Sequence, residues 1–391
     1  MHLAKRIAHI TGGGSDGWEI YYRTRELLDA GERVLNLTIG EHDIRTDPAI
    51  LKAMHDSALA GNTGYSFGPG KQALREAIAA RCTARTGVAT SWRNVVVTPG
   101  GQAALFAAHM ALLDHGDRAL YCDPYYATYP GTIRATGALD VPVPTRPETD
   151  FAPEEAAILA HGQAARTLLI NTPNNPTGTV YGRATLEGIA RAVQKLDLWL
   201  ISDEVYDGQV WDGAHLSPRA LPGMAERTVV VGSMSKSHAM TGSRLGWIIA
   251  PETVVAAVTT LATNTTYGVP AFIQDAALFA LERGAAFEAT IAEPFRRRRK
   301  LALDLLAGAN ALHLVAPSGA MFLMLDIRAT GLSGKEFAAA LLAEEKIAVM
   351  PGESFGQAAA GHIRVAMTIE DSGFSEAISR LAGFAERRLD G

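Results

Sequence analysis

The feature that most constrains the fold of this 391-residue chain is a regular alternation of short apolar, β-branched segments with longer segments of helical periodicity. This pattern is typical of βαβ units, in which helices cover both faces of a parallel sheet. Strands are predicted at 94–98, 119–122, 167–171, 199–202, 228–232 and 247–250. Helices are predicted at 101–113, 128–136, 183–196 and 251–263. We therefore predict an α/β chain with a three-layer α/β/α domain around a mostly parallel sheet.

The pattern changes before and after this region, which predicts a second, smaller domain. A helix at 18–30 and a helix start at Asp47 are typical of an N-terminal arm. The elements predicted toward the C-terminus are a long charged helix from about 284, strands at 312–316, 320–327 and 362–367, and helices at 334–345 and 372–389. We expect a large domain of residues 41–284, with residues 1–40 and 285–391 forming the arm and a smaller α+β domain.

Charge and cysteine content indicate the class of partner and the compartment. Lys plus Arg number 36 against 41 Asp plus Glu, so the formal net charge of −5 provides no general attraction for a polyanion. We expect no nucleic-acid partner. The two cysteines, Cys82 and Cys122, cannot staple a chain of this length, which fits a reducing cytoplasm. We also expect no secretion signal and no membrane span, because long apolar runs are missing from the sequence.

Two local patterns suggest binding sites but have simpler interpretations. Residues 12–17 match G-x-G-x-x-G, yet no predicted strand precedes them, so a flexible arm is favoured over a dinucleotide site. The five consecutive cations at 296–300 point in all directions on a helix. This run therefore indicates a solvated helix face rather than a polyanion site.

Polar residues that could act in catalysis or cofactor binding follow three of the predicted strands. Lys236 lies just past the strand at 228–232, Asp203 ends another strand, and Asn175 follows a third. Taken singly, the three could be a surface lysine, a helix cap and a turn residue. In a parallel sheet, however, ligands bind beyond the carboxyl ends of the strands. A lysine for a Schiff base, a carboxylate for a pyridinium nitrogen and a donor for a ring oxygen together indicate a pyridoxal 5'-phosphate site.

The order of motifs along nearly the whole chain resembles fold type I, class I/II aminotransferases, which depend on pyridoxal 5'-phosphate. The motifs are Tyr65, Gly100-Gly101, Asp123-Pro124-Tyr125-Tyr126, Asn174-Asn175-Pro176-Thr177-Gly178, Ser202-Asp203-Glu204-Val205-Tyr206, Ser233-Met234-Ser235-Lys236 with Arg244, and Gly361-His362-Ile363-Arg364. The resemblance implies the pyridoxal-phosphate transferase fold, transfer of an amino group from an L-amino acid to a 2-oxo acid, and a homodimer with shared active sites. It implies no metal.

The resemblance also implies roles for individual residues. The catalytic residues would be Lys236 as the Schiff-base lysine, Asp203 at the pyridine nitrogen and Tyr206 at the ring oxygen. The further cofactor contacts would be Asn175, Tyr126, Gly101, Gln102, Ser233, Ser235, Arg244 and Tyr65, the last reaching the phosphate of the neighbouring subunit. The substrate contacts would be Arg364, Gly40 and Asn175, with Arg364 binding the α-carboxylate. Tyr125 is an alternative to Tyr126 as the ring that stacks on the cofactor.

Two departures from the family pattern concern substrate choice. The usual Gly-Glu-Pro-Asp loop reads Gly-Glu-His-Asp at 40–43, with His42 in place of proline. The lysine that many aspartate aminotransferases carry after the Gly-Gly pair is Gln102 here. A neutral amide offers hydrogen bonds but no opposite charge to a second carboxylate. Asp16, Glu19 and Glu41 lie in the two segments expected at the entry to the site, and other segments resemble arginine:pyruvate aminotransferases. We therefore expect a cationic or neutral amino donor to be at least as suitable as aspartate.

Two other functions remain open at this stage. A β-lyase of the same fold would release ammonia and need no 2-oxo acid. An aminotransferase-like sensor domain of a transcription regulator would bind an effector without catalysis. Such a regulator needs a DNA-binding module, and the 40 residues before the fold are too few and not basic enough. The favoured prediction is an aminotransferase.

Overall fold

The structure is a computed structural model that describes residues 3–12, 17–66, 68–315 and 317–389. Its helices are α1 Lys5–Ala8, α2 Glu19–Asp29, α3 Pro48–Leu59, α4 Gln72–Thr86, α5 Gly101–Leu112, α6 Tyr129–Thr136, α7 Glu155–His161, α8 Arg183–Lys195, α9 Met234–Ser237, α10 Glu252–Thr263, α11 Ala271–Glu282, α12 Gly284–Leu306, α13 Gly334–Glu345 and α14 Asp371–Glu386. Its strands are β1 Leu35–Asn36, β2 Val95–Thr98, β3 Arg118–Asp123, β4 Leu139–Pro144, β5 Ala165–Asn171, β6 Trp199–Asp203, β7 Thr228–Ser233, β8 Gly246–Ile249, β9 His313–Val315, β10 Phe322–Asp326, β11 Ile347–Ala348, β12 Met350–Pro351 and β13 His362–Ala366.

The main sheet contains seven of these strands in the order β2-β8-β7-β6-β5-β3-β4. The pairs from β7 to β4 are parallel, whereas β8 runs antiparallel to both of its neighbours. The six predicted strands of this sheet are therefore confirmed, with ends that differ by one or two residues. The seventh, β4, was not predicted because it contains two prolines. It lies at the edge of the sheet, where a missing backbone N–H is tolerated.

Helices cover both faces of this sheet and make the predicted three layers. On one face, alternate residues such as Leu169, Ile201 and Val229 pack against α5, α6 and α10. On the other face, residues one position along, such as Leu168 and Leu200, pack against α7 and α8. The same face is covered by α3, α4 and α11 near β2, β7 and β8. Burial on both faces explains why these strands are continuous apolar runs rather than alternating ones.

A second, antiparallel sheet has the strand order β12-β13-β10-β9. Its residues share an apolar core with α12, α13 and α14. The two-residue strands β1 and β11 pair in parallel, joining the N-terminal segment to this part of the chain. Strands this short carry too few residues for a periodicity to be recognised in the sequence. The predicted division at residues 40/41 and 284/285 stays a prediction.

The basic run at 296–300 does not form a uniformly solvated face. Arg298 is buried, and its guanidinium bonds the carboxylates of Asp43 and Asp371. Arg299 pairs with Asp212, whereas Lys300 stays exposed. The prediction was wrong for Arg298 because its partners lie far away in sequence.

The described residues bear on two further predictions and leave a third outside their ranges. Cys82 and Cys122 are both buried free thiols. In the part of the chain that the structure describes, no helix has the length and apolar character needed to span a bilayer. Residues 13–16 of the glycine-rich segment lie outside the described ranges. The predicted role of Asp16 near the substrate concerns one of these residues.

Candidate active site

A cavity of about 300 Å³ lies at the carboxyl ends of the parallel strands β5, β6 and β7. The predicted site residues that line it are Gly40, Gly101, Gln102, Tyr126, Asn175, Asp203, Tyr206, Ser233, Ser235, Lys236, Arg244 and Arg364. They come from both sheets and from the loops between them. Of the predicted site residues, Tyr65 is the one that does not line this cavity.

The sheet register explains why these residues meet. Asn171 is paired with Asp203 across β5 and β6, so both strands end at the same level. The side-chain oxygen of Asn171 accepts a hydrogen bond from the backbone N–H of Asn175 at 2.7 Å and so holds the loop after β5 at this edge. Lys236 follows β7 in the short helix α9. Three neighbouring strand ends therefore deliver the amide, the carboxylate and the amine to one cavity.

Asp203 is a buried carboxylate with few partners of its own. Its Oδ2 accepts a hydrogen bond from the Tyr129 hydroxyl at 2.7 Å, and its Oδ1 accepts one from the backbone N–H of Val205 at 3.3 Å. Burial raises the pKa of Asp203 to about 6 despite these two donors. A buried carboxylate gains most from a cationic N–H donor, because opposite charge offsets the cost of burial.

Lys236 faces Asp203 across the same cavity. Its ammonium donates a hydrogen bond to the carbonyl of Gly40. Burial lowers the pKa of Lys236 to about 8, and the positive charges of Arg364 and Arg244 act in the same direction. An amine with this pKa is partly unprotonated near neutral pH and can act as a nucleophile or a base.

The start of α5 forms an anion-binding corner of the cavity. The first intrahelical bond of α5 runs from Ala104 N–H to Gly100 O, so the amides before Ala104 point out of the helix start. Gly100 has φ +91°, and a Cβ there would lie 2.5 Å from Nη2 of Arg244. Ser233 and Ser235 add hydroxyls that are hydrogen-bonded to each other at 2.9 Å. Amides, a guanidinium and hydroxyls are the donors that bind a phosphate.

Arg364 brings a second guanidinium to the cavity. It is buried in β13, where Nη1 donates to Oδ1 of Asn175 at 2.9 Å and Nη2 donates to the carbonyl of Thr38. Its guanidinium also lies over the rings of Phe322 and Phe355 at 4.4 and 4.3 Å. Burial lowers its pKa to about 10, so it stays charged at neutral pH. A fixed guanidinium of this kind suits a carboxylate.

Aromatic side chains complete the walls. The Tyr206 hydroxyl is hydrogen-bonded to the side chain of Asn175, and burial raises the pKa of Tyr206. Tyr126 lines the cavity, as the sequence favoured. The alternative, Tyr125, packs its ring edge-on against Tyr121 at 5.0 Å and lines a neighbouring groove.

The side chain of Gln102 is occupied by protein partners. Its amide nitrogen donates to Thr132 Oγ1 at 2.8 Å, and its oxygen accepts from Thr128 Oγ1 at 3.0 Å. Glu41 also lines this cavity, and its Oε1 accepts a hydrogen bond from the Thr241 hydroxyl at 2.9 Å. Gln102 itself therefore adds no charge to a cavity whose lining includes the carboxylate of Glu41 and the guanidinium of Arg244.

Tyr65 is highly exposed, with 81 % of its surface accessible. Its ring lies 5.7 Å from that of Tyr267. An exposed aromatic pair of this kind is compatible with the expected contact to a neighbouring subunit. That contact stays a prediction.

Sequence reasoning missed two groups that support the site. Tyr129, the donor to Asp203, has the sequence signature of an ordinary buried helix residue. Glu204 is buried below Asp203 and bonds Ser202, Ser217 and His215 through its two oxygens, at 2.8–2.9 Å. The bond from Tyr129 to Asp203 joins residues 74 positions apart, and the partners of Glu204 lie 2, 11 and 13 residues away, the last two in a loop whose course one sequence does not predict.

The cavity fits pyridoxal 5'-phosphate by the chemistry of its donors. A buried carboxylate without a cation, an amine of lowered pKa and an anion-binding corner that a Cβ at Gly100 would fill correspond to the three polar parts of that molecule. Few other small cofactors require all three together.

Comparisons with known proteins agree with this chemistry. Residues 32–381 match the family described as aminotransferase class I and II. The chain is 44 % identical to the arginine–pyruvate transaminase of Pseudomonas aeruginosa over 98 % of both chains. It is 36 % identical to the aspartate/prephenate aminotransferase of Thermus thermophilus, over 91 % of this chain and 92 % of the relative. The solved aspartate aminotransferase of Thermus thermophilus with maleate superposes with a TM-score of 0.91 at 32 % identity, covering 98 % of this chain and all of the other.

The first testable prediction concerns the missed tyrosine. Replacing Tyr129 by Phe removes the hydroxyl that donates to Asp203, so the pKa of Asp203 should rise above about 6 in the cofactor-free protein. Infrared titration of the carboxyl band measures this change. The band is assigned to Asp203 by subtracting the spectrum of the D203N variant. Y126F, which alters a neighbouring tyrosine, is the control and should leave the band near its wild-type midpoint. An unchanged midpoint in Y129F would contradict the role of Tyr129.

Proposed function

Because this chain belongs to the class I and II aminotransferase family, we propose that it transfers the amino group of an L-amino acid to a 2-oxo acid with pyridoxal 5'-phosphate, and that arginine and pyruvate are its preferred pair. The observation that carries the substrate choice is the state of Gln102. Its side chain is neutral and already bonded to two threonines, so this position offers no cation to the second carboxylate of aspartate. The 44 % identity to an arginine–pyruvate transaminase supports the same choice.

The proposed cofactor contacts follow from the donors described above. Asp203 would hold the protonated pyridine nitrogen, and Tyr206 with Asn175 would bind the ring oxygen. The amides at Gly101 and Gln102, the hydroxyls of Ser233 and Ser235 and the guanidinium of Arg244 would bind the phosphate. Tyr126 would stack on the ring.

When bound, pyridoxal 5'-phosphate supplies an aldehyde that condenses with amines and a ring that withdraws electrons from the substrate Cα. Asp203 keeps the ring nitrogen protonated, since its buried negative charge favours the cation. Lys236 Nζ would take the proton from Cα of the donor and deliver it to C4′ of the cofactor, and it would move a proton in the opposite direction when the 2-oxo acid acceptor reacts. Its pKa of about 8 leaves part of the amine unprotonated at neutral pH.

Arg364 would bind the α-carboxylate of every substrate. Its Nη1 and Nη2 are already fixed by Asn175 and Thr38, so the guanidinium is oriented before a substrate arrives. We expect simple amines, which lack this carboxylate, to fail as donors. Gly40 lies close to the same part of the cavity, because a Cβ at Gly40 would meet the ring of Phe322, over which the Arg364 guanidinium lies.

The donor side chain would extend toward the rim formed by Glu41, Gln102 and Trp18. Glu41 uses one carboxylate oxygen to accept from Thr241, and its negative charge suits a guanidinium at the far end of arginine. The indole of Trp18 offers an aromatic face to the same cation.

We further propose a homodimer with shared active sites in the cytoplasm. Tyr65 supports the dimer, because an exposed tyrosine beside a glycine-rich turn can reach a neighbouring subunit. The two buried free thiols support a reducing compartment. The division into a large domain of residues 41–284 and a smaller one of 1–40 and 285–391 belongs to the same proposal.

A donor panel tests the proposed substrate. With pyruvate as acceptor, kcat/KM for arginine should exceed that for aspartate, glutamate, alanine and phenylalanine. A strong preference for aspartate would contradict the proposal and would indicate a cation at the rim that comes from another subunit. Release of ammonia without any 2-oxo acid acceptor would instead identify the β-lyase alternative.

Lys236 provides the second prediction. Borohydride should attach the cofactor irreversibly to Lys236 in the wild-type protein, and K236A should bind it without a covalent bond while keeping its fold. Peptide mass spectrometry locates the label, and thermal unfolding checks the fold. K195A, a change at an exposed lysine of α8, should be labelled like the wild type. A label at any other lysine overturns the assignment.

Gln102 provides the third prediction. Replacing Gln102 by Lys should raise the ratio of kcat/KM for aspartate over arginine by about tenfold or more, because a charge-assisted hydrogen bond contributes about 1.5–3 kcal/mol. Q102M, which loses the threonine bonds without adding charge, is the matched control and should leave that ratio almost unchanged. An equal response of the two variants would show that charge at this position does not select the donor.

The dimer provides the fourth prediction. K236A should be inactive and Y65F should bind the cofactor more weakly. Mixing the two under conditions that exchange subunits should restore activity, since each hybrid dimer contains one site with Lys236 and the partner's Tyr65. The control is a mixture of K236A and D203A. Lys236 and Asp203 of a given site come from the same subunit, so each site of this hybrid dimer lacks one of the two residues. Equal recovery in both mixtures, or none in either, would contradict a site shared through Tyr65.

A further inference from the structure

The loop between β1 and α3 is tied to the segment that carries Lys236 by contacts outside the proposed cofactor set. These contacts are Gly40 O with Lys236 Nζ, Glu41 Oε1 with Thr241 Oγ1 at 2.9 Å, His42 Nε2 with Lys236 O at 3.0 Å, and Thr46 Oγ1 with Ala239 O at 2.6 Å. Two of the four involve Lys236 itself. One of these two is made by the backbone carbonyl of Lys236. Its partner is His42, the residue that replaces the proline of the family pattern.

The backbone carbonyl of Lys236 needs such a partner because of its position. Helix α9 has four residues, and Lys236 lies in its last turn, where carbonyls lack a partner from the next turn. The following amides bond elsewhere, since His238 N–H and Met240 N–H both donate to Met234 O. His42 Nε2 at 3.0 Å and Gln209 Nε2 at 3.3 Å occupy the place of the missing helical donor.

The chemistry of His42 makes it a donor at this point. A carbonyl only accepts hydrogen bonds, so Nε2 carries the proton. Burial lowers the pKa of His42 to about 4, and the nearby charge of Lys236 acts in the same direction. The imidazole is therefore neutral in the working range. Its ring packs edge-on against Phe295 at 5.3 Å, which sets its orientation.

The loop that carries His42 is anchored at its next residue. The carboxylate of Asp43 is held by two nitrogens of the buried Arg298, at 2.6 and 3.0 Å. Arg298 also donates to Asp371 Oδ1 at 2.9 Å and to Met367 O at 3.0 Å. His42 thus projects from a loop fixed to the C-terminal part of the fold, and it bonds the backbone on the other side of the cavity.

We propose that His42 is a positioning residue that fixes the backbone of Lys236 by donating a hydrogen bond from Nε2 to its carbonyl. The amine at the end of the lysine side chain then returns to one place each time it is released. Small displacements of a proton-transferring group cost rate rather than substrate affinity. This inference rests on the proposed function of Lys236.

The test uses two variants of similar shape. The amide nitrogen of Gln lies about as far from the backbone as Nε2 of His, so H42Q keeps a hydrogen-bond donor. H42M has a side chain of about the same length but no donor. For H42M we expect kcat with arginine and pyruvate to fall about tenfold with KM within about twofold. In the holoenzyme without substrate, the visible absorbance of the lysine-bound cofactor is titrated with pH. We expect the midpoint of this titration to differ between H42M and the wild type. H42Q should behave like the wild type in both measurements.

Each outcome decides the inference. If H42M matches the wild type in titration and kcat, or if H42Q is as impaired as H42M, His42 does not position Lys236 through this bond. Thermal unfolding checks that the variants fold. Should H42M unfold, H42F, which keeps an aromatic ring against Phe295 but has no donor, takes its place and should show the same shift of the absorbance titration; an unshifted H42F then contradicts the inference. A wild-type protein without a lysine-bound chromophore would instead contradict the proposed function.

Discussion

The enclosure of charged side chains at one end of a parallel sheet is the constraint on which the rest of this structure depends. Asp203, Lys236 and Arg364 all lie in or against one cavity, and burial shifts the pKa of each toward its neutral form. Isolated charges are costly in such a place, and partners of opposite charge offset that cost. A cofactor with a cationic ring nitrogen and an anionic phosphate, together with a substrate carboxylate, supplies those partners. The burial that is unfavourable for these charges alone would therefore favour the binding of such a cofactor and substrate.

Much of the fold and the polar centre of the site could be predicted from the sequence. Strands buried on both faces are long apolar runs, and the residues that follow them, such as Asp203 and Lys236, must meet at the carboxyl edge. The remaining features depend on contacts between distant segments. Tyr129, the buried Arg298 and the donor from His42 to Lys236 have ordinary sequence surroundings, and only the folded arrangement gives them partners. Strand β4 was missed because its prolines argue against a strand everywhere except at an edge.

The two departures from the family pattern act on different steps. Gln102 lies at the rim, where its neutral, occupied amide bears on which donor side chain is accepted. His42 bonds the backbone carbonyl of Lys236, where we propose that it bears on the placement of the proton-transferring amine. On this proposal, substrate choice and proton transfer depend on different residues. The rim and the backbone of α9 share no direct hydrogen bond through these two residues.

The most direct test of the account follows the nitrogen atom. L-Arginine labelled with ¹⁵N at the α-amino group is incubated with the holoenzyme and pyruvate, and the products are analysed by NMR and mass spectrometry. The account predicts that the label appears in alanine in equal amount to the 2-oxo acid formed from arginine. Label recovered as ammonium, or aspartate consumed in strong preference to arginine when both are present, would contradict it.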